Sequence, residues 1–408
     1  MPKALLLVCL FSLISISRPG WTEGKLAYRG LVELQAFYND AADRWMNGGL
    51  SKSRYDEDSF PLRLGKAGLQ VDYHFTDTLW LQTLTDFYVD DGVEAELIEA
   101  YFQYRPVPDG PMRLRARVGA FNPPVSLENT DLAWSSSMST TPSVINTWAG
   151  EDLRTVGAEI TLDWPGRLRQ STHGWKLTGA IFGYNDANGT ILYTRGWAAH
   201  DRQTGLFSPL REPTLVPDVR KEVFTFHEFD DRPGYYLSGV WTWRDQFNLQ
   251  IFHYDNMAET GLVSGNTSSW RTAFNQVAAE WRLPRQWLLA TQAMIGDTKA
   301  ANPLSGDEFG SDFRAIYFLV NKIMNKHSFT ARVEYFSVDD LDHYNTGYSQ
   351  ESGHSLLIAW QYPYSQHIRL GAEWLFIDSN RSERRLLTGN GKEQINQLLF
   401  TVQYRFQN

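Results

Sequence analysis

Thr155-Val156-Gly157-Ala158-Glu159-Ile160-Thr161-Leu162-Asp163-Trp164 alternates without a break. Val156, Ala158, Ile160, Leu162 and Trp164 fall on one side, and Gly157, Glu159, Thr161 and Asp163 on the other. A period of two is that of a β-strand with two unlike faces. A strand of about 9–11 residues, tilted, crosses the hydrocarbon of a bilayer, whereas globular strands average about 5–6. A soluble β-sandwich also alternates, but here the polar face carries full charges, which a water-filled barrel lumen accommodates.

The same pattern recurs from Lys25 to the end. Leu26, Tyr28, Val32, Leu34, Ala36 and Tyr38 oppose Arg29, Glu33 and Gln35. Val277, Ala279, Trp281 and Leu283 oppose Gln276, Glu280 and Arg282, and Phe329, Ala331, Val333 and Tyr335 oppose Thr330, Arg332 and Glu334. Ile368, Leu370, Ala372, Trp374 and Phe376 oppose His367, Arg369, Gly371 and Glu373. The final segment sets Leu398, Phe400, Val402, Tyr404 and Phe406 on one face, with Arg405 on the other, and would close a barrel against the first strand. It resembles the C-terminal strand recognised by barrel-assembly machinery, except that Gln407 and Asn408 follow the aromatic residue.

Between segments, tight links (Thr76-Asp77, Asp245, Pro284-Arg285, Pro363–Gln366) alternate with long ones (39–60, 122–153, 256–272, 297–311, 339–353, 379–393). Short periplasmic turns and long outer loops are the habit of outer-membrane barrels. Seven segments precede Asn185 and nine follow from Gly234, so sixteen antiparallel strands are predicted, with eighteen as the alternative. Residues 186–233 are then one outer loop; Ile191–Trp197 reads as strand-like but finds no partner.

Composition agrees. The 408 residues include 15 Trp, 19 Tyr and 23 Phe, 14% aromatic, yet mean hydropathy is −0.38. Aromatic-rich but polar on average fits a barrel and excludes a bundle of membrane helices. Lys3, the apolar run Ala4–Ile16 and Ser15-Ile16-Ser17 form a secretory leader, residues 1–17, leaving residues 18–408 as the barrel. The one cysteine, Cys9, lies in that leader, so a mature chain has neither disulfides nor Cys-ligated metal. Removing Lys3 with the leader leaves 37 basic against 47 acidic residues, a net charge of −10 that argues against nucleic-acid binding.

Arg113, Arg115 and Arg117 stand at spacing two, with Leu114 and Ala116 between them. On a strand they share one face, and a lipid-facing arginine costs about 2–4 kcal/mol at mid-depth, so they face the lumen. They form either an anion-attracting ladder, since guanidinium binds oxyanions bidentately, or wall partners of carboxylates such as Glu99. The long loop 122–153 is positioned to fold inward, bringing Glu128, Asp131 and Ser135–Ser137 across a constriction from these arginines; a solvated surface loop is the alternative. Glu159, Arg332 and Arg369 join the pore-lining set by their phase. His227-Glu228-Phe229-Asp230-Asp231 lacks the ligand spacing of a calcium loop and reads as solvated acidic loop. Nucleophile-elbow, zinc-protease, Walker-A and dinucleotide motifs are missing from the sequence, and no metal or cofactor is implied.

Arg117, Gly119, Phe121, Asn122, Pro123, Pro124, Ser126 and Glu128, with Glu99-Ala100-Tyr101 upstream, spell R-x-G-x-F-N-P-P-x-S-x-E. Over roughly residues 94–185 this resembles the phosphate-selective porin O and P family, which carries a similar element at the same strand-to-loop corner. The resemblance implies a water-filled outer-membrane channel for small solutes or anions, set among lipid and lipopolysaccharide and often a homotrimer. No lysine cluster beside the arginines is evident in the sequence, so the phosphate-specific pattern is incomplete. The rivals are a barrel-borne enzyme, an energy-coupled receptor, which needs a plug domain before some 22 strands, and an adhesin or structural barrel with an occluded lumen.

Overall fold

The computed structural model describes residues 25–42, 44–59, 61–90, 93–213, 221–341 and 349–408; the expected leader lies outside them. Sixteen antiparallel strands close into one barrel. They are β1 (Lys25–Asn39), β2 (Leu62–His74), β3 (Leu79–Val89), β4 (Val93–Tyr104), β5 (Arg113–Phe121), β6 (Thr155–Trp164), β7 (His173–Gly183) and β8 (Gly234–Trp243), followed by β9 (Phe247–Asp255), β10 (Arg271–Leu283), β11 (Trp287–Ala301), β12 (Glu308–Met324), β13 (His327–Asp340), β14 (Glu351–Pro363), β15 (Ile368–Arg381) and β16 (Lys392–Gln407). β16 closes on β1 from Arg29↔Gln407 to Asn39↔Gln397. Closure pairs every strand on both sides and removes the edges that lipid could not satisfy. No described helix is long and apolar enough to cross a membrane.

The alternation sets the faces. Ile160, Val277, Trp281 and Phe400 are exposed outward, and Ala158, Leu162, Ala279, Ile368 and Leu370 share that face. Glu159, Glu280, Arg332, Arg369 and Arg405 point inward. At the short-turn end the outward aromatics form a belt, with Trp175 beside Trp241, Trp241 beside Phe247 and Phe247 beside Trp281, the placement expected at a membrane interface. Two of the tight hairpins turn through left-handed pairs, Arg244–Asp245 and Asn325–Lys326, whose twist matches that of the strands.

Three expectations change. The link predicted at 297–311 shrinks to 302–307 because β11 and β12 continue past the apolar belt, where Asp297, Lys299, Asp312 and Arg314 take over the outward face. Ile191–Trp197 is not a strand: α2 (Thr190–Thr194) occupies its start, as befits a segment without a ladder partner. Residues 186–233 contribute no spanning strand among those described, but the segment does not simply sit outside the barrel. Much of it descends into the lumen, where Trp197 Nε1 donates to the Ser337 carbonyl of β13 (3.0 Å).

Loop 122–154 also turns inward and carries α1 (Val144–Asp152), capped by Ser143, whose hydroxyl accepts from the Asn146 N–H. Trp148 meets Trp197, Phe274 and Phe313 at ring separations of 5.4–6.1 Å. Around them Phe182, Tyr236, Phe252, Phe336, Leu357 and Ile377 complete a hydrophobic core inside the barrel. The inner face is therefore mixed: the aromatic core lies mainly along β7–β15, among buried polar groups such as Gln276, Arg332, Glu334 and Glu373, while β1–β6 contribute mostly polar side chains. Each of the sixteen strands carries an inward side chain less than a tenth exposed, from Gln35 on β1 through Asp86, Glu159 and Arg332 to Gln397 on β16. A wide water-filled bore would leave such wall residues accessible; here the loops cover them.

Candidate functional site: the inward arginines and the loops packed above them

β5 directs Arg113, Arg115 and Arg117 inward, opposite Asp163, Thr161 and Glu159 of β6. Gly119 permits the turn of chain above them: its φ is +134°, and a Cβ there would strike the Ala100 carbonyl of β4. Two residues beyond, Phe121 ends the strand, because Pro123 and Pro124 cannot donate to a ladder.

The three arginines are not equivalent. Arg117 makes a bidentate pair with Glu159 (2.9 and 2.7 Å), which also accepts from the Tyr236 hydroxyl (2.5 Å). Its guanidinium lies 4.3 Å from the Phe121 ring centre, and the residue is 8% exposed. Arg115 reaches Thr161 Oγ1 (3.3 Å) and lies 3.5 Å from Glu159, with 39% of its side chain exposed. Arg113 and Arg115 open onto a cavity of about 800 Å³ at the short-turn end.

Six cations line that cavity, Arg113, Arg115, Arg117, Arg167, Lys176 and Arg282, against three anions, Asp163, Asp245 and Glu280. Pro123, Pro124, Asn129 and Trp134 of the inward loop form its far wall. Sequence reading missed Lys176 and Arg282 as neighbours of the arginines. Both sit at polar phases of their strands, yet nothing local shows that β7 and β10 curve around to face β5.

The acids of loop 122–154 do not confront these arginines. They turn to the opposite wall, because the loop crosses the barrel. Glu128 accepts from Arg332 Nη1 (2.8 Å), and Arg332 also donates to Glu334 (2.9 Å) and to the carbonyls of Thr141 (3.1 Å) and Pro142 (2.8 Å). Glu334 in turn accepts from Val144 N–H (2.8 Å) and Glu373 from Thr140 N–H (2.9 Å). Asp131 pairs with Arg405, and Arg369 donates to the Ser136 carbonyl (3.2 Å). Glu99 pairs with none of Arg113, Arg115 and Arg117 but accepts from Asn122 N–H (2.7 Å) and Nδ2 (3.0 Å), fixing the corner where the loop departs.

Nearer the outer rim the loops are held by buried ion pairs. Arg195 and His200 both engage Glu151 (2.6 and 3.0 Å). Arg54 bridges Asp90 (3.0 Å) and Asp201 (2.9 Å); Arg202 joins Asp90, Glu94 and Glu96 (2.5–2.6 Å); Lys52 and Arg381 share Glu351 (2.8 and 3.0 Å). Burial pushes the Glu151 carboxyl up, but Arg195 and His200 outweigh it and hold it at about 2. Burial wins at Asp152, pushed up to about 7 although Gly189 N–H and Trp148 Nε1 donate to it.

Glu228 and Asp230 of the acidic segment approach Asp186, their oxygens within 4.8 Å. Backbone N–H groups of Phe229, Tyr184, Asp231, Arg232 and Glu259 already engage these carboxylates, so the cluster is explained as a loop staple.

A closed sixteen-stranded barrel with an apolar outer belt, a short-turn aromatic ring and inward-folded loops defines an outer-membrane β-barrel of the porin fold. No protein-family model and no curated protein matches the sequence. Solved structures do share the fold. The outer membrane channel DcaP of Acinetobacter baumannii superposes with a TM-score of 0.58 at 12% identity, over 95% of this chain and 99% of that one. The trimer form of OmpT, an outer membrane protein of Vibrio cholerae, gives 0.54 at 12% identity over 94% and 100%. Salmonella typhi OmpF, in complex with daunomycin, gives 0.51 at 11% identity over 94% and 98%. At these identities the likeness concerns the fold.

Proposed function

We propose that this chain is an outer-membrane porin that passes small solutes passively and favours anions. The carrying observation is the cavity behind β5, where six cations face three anions within about 800 Å³. Low-dielectric walls focus such an excess and raise the local concentration of counter-ions. Arg113 and Arg115 supply the accessible share; Arg117, paired with Glu159, holds the wall. Glu99, Glu128, Asp131, Arg332 and Arg369 act as positioning groups that set the loop against the wall, and Glu159 fixes Arg117 within the wall. Phosphate and other oxyanions suit guanidinium geometry, and Lys176 adds the lysine that the sequence pattern did not place. Residues 1–17 serve as the export leader, and the chain assembles as a homotrimer in keeping with the trimer form among its structural neighbours.

One observation favours a second reading, a structural barrel: every one of the sixteen strands has an inward side chain less than a tenth exposed. Planar-bilayer recording decides between the two. Discrete conductance steps with an anion-directed reversal potential, shifted toward cations by Arg113→Ala with Arg115→Ala, support the porin; a folded barrel that never conducts supports the structural reading. Low salt enlarges the expected shift, because the Debye length grows from about 10 Å at 0.1 M to about 30 Å at 0.01 M.

A further inference from the structure

A run of polar groups along β3 and β4 lies between the outer rim and the arginine-lined cavity. On the outer side a cavity of about 160 Å³ is bordered by Glu94, Glu96 and Arg202. Asp86 lies directly across from Glu96 in the β3–β4 ladder. The Tyr88 hydroxyl donates to Asp86 Oδ2 (3.1 Å) and accepts from the Gln203 N–H (3.0 Å). Arg154 lies close enough to Asp86, Glu96 and Glu99 for their charges to act on it, and one of its nitrogens donates to the Gly150 and Thr204 carbonyls. Glu99 then binds Asn122, which borders the inner cavity together with Arg117.

Asp86, Arg154 and Gln203 are fully buried, yet five of their polar atoms lack a hydrogen-bond partner among the described residues: Asp86 Oδ1, Arg154 Nε and Nη1, and both amide atoms of Gln203. An orphaned buried polar group costs about 1–3 kcal/mol, more when charged, and native proteins satisfy such groups with water or a ligand. Much of the wall along β7–β15 instead presents the aromatic core around Trp148, and stripping an ion of water against apolar side chains is prohibitive.

We infer that Asp86, Arg154 and Gln203 form a hydrated constriction through which ions cross the inward loops, joining the outer cavity at Glu96–Arg202 to the inner one at Asn122–Arg117. This rests on the porin reading and adds the path. Arg154 is the cation at the narrowest point and Asp86 its counter-charge, so this pair, with the inner arginines, sets ion preference. The aromatic core around Trp148 helps to keep the loops docked and carries no current.

Gln203→Cys in a Cys9→Ser background, reconstituted as the full barrel in planar bilayers, tests the path. A water-soluble charged methanethiosulfonate reagent is added during recording. Modification should remove half or more of the current, while Ala149→Cys, against the apolar core, should not react. Arg154→Gln should shift the reversal potential toward cations, with Arg154→Lys restoring it; heat-modifiable gel migration confirms that each barrel is folded. If the wild type conducts but Gln203→Cys is unreactive or its current unchanged, the path is overturned and the porin reading stands. If the folded wild type does not conduct at all, the porin reading falls and takes the path with it.

Discussion

Replacing Arg332 by alanine should free the inward loop while leaving the barrel closed. Arg332 is wholly buried and ties Glu128 and the Thr141 and Pro142 carbonyls of the loop to Glu334 of the wall. Removing one partner of a buried ion pair costs about 3–5 kcal/mol, mainly because the other charge stays buried and uncompensated. Here two carboxylates are stranded, Glu128 and Glu334. At about 1.4 kcal/mol per tenfold, the population with the loop released should rise by roughly 10²–10³-fold or more. Chymotrypsin, which cuts after Trp134 and Trp148 only when the loop is out, reads this as a faster cleavage rate, and bilayer recording reads it as larger or more frequent openings. The closed ladder of sixteen strands does not involve these side-chain bonds, so heat-modifiable migration should persist. Arg232→Ala is the control: its pair with Glu259 is about half exposed, and such pairs contribute about 0–1 kcal/mol. Equal cleavage rates and equal conductance in Arg332→Ala and wild type would refute the claim that this clamp docks the loop.

Three further outcomes follow from the same geometry. Arg117→Ala should lower the thermal stability of the folded barrel more than Arg115→Ala, and shift reversal potential less, because Arg117 is paired and covered whereas Arg115 opens to the cavity; thermal melts with paired recordings check both. Gly189→Ala should undock α2, since the residue has φ +97° and a Cβ would collide with the Thr298 and Thr272 hydroxyls; the expected readout is faster proteolysis of 186–213 with the barrel intact. Asp152, with its native value raised to about 7 by burial, binds a proton that the free loop releases near 4, so docking is strongest at acid pH and loses about 1.4 kcal/mol per unit as pH rises toward 7. Asp152→Asn should abolish that dependence: the wild-type minus variant difference in opening frequency between pH 5 and 7 should vanish if Asp152 stays charged throughout.

Strand count, face assignment and barrel closure were legible in the sequence because they follow from a local rule. Thr155–Trp164 alternates, lipid rejects Glu159, and the ladder is then determined strand by strand. The same rule turned Arg113, Arg115 and Arg117 inward together. It misjudged 297–311 only where the rule itself stops applying: above the apolar belt an outward residue is polar, so β11 and β12 look like loop. What the inward side chains meet depended on contacts far apart in the chain. Glu128 finds Arg332, 204 residues away, and Glu159 rather than Glu99 takes Arg117. Residues 186–233 offer only one strand-like run without a partner, and the descent of residues 190–204 into the lumen is set by Trp197 and Trp148 packing against Phe313 and by the buried charges of Arg195, Arg202 and Glu151. Local alternation decides which way a strand residue faces; only the closed barrel decides which loops fill it and which charges they leave for a solute to meet.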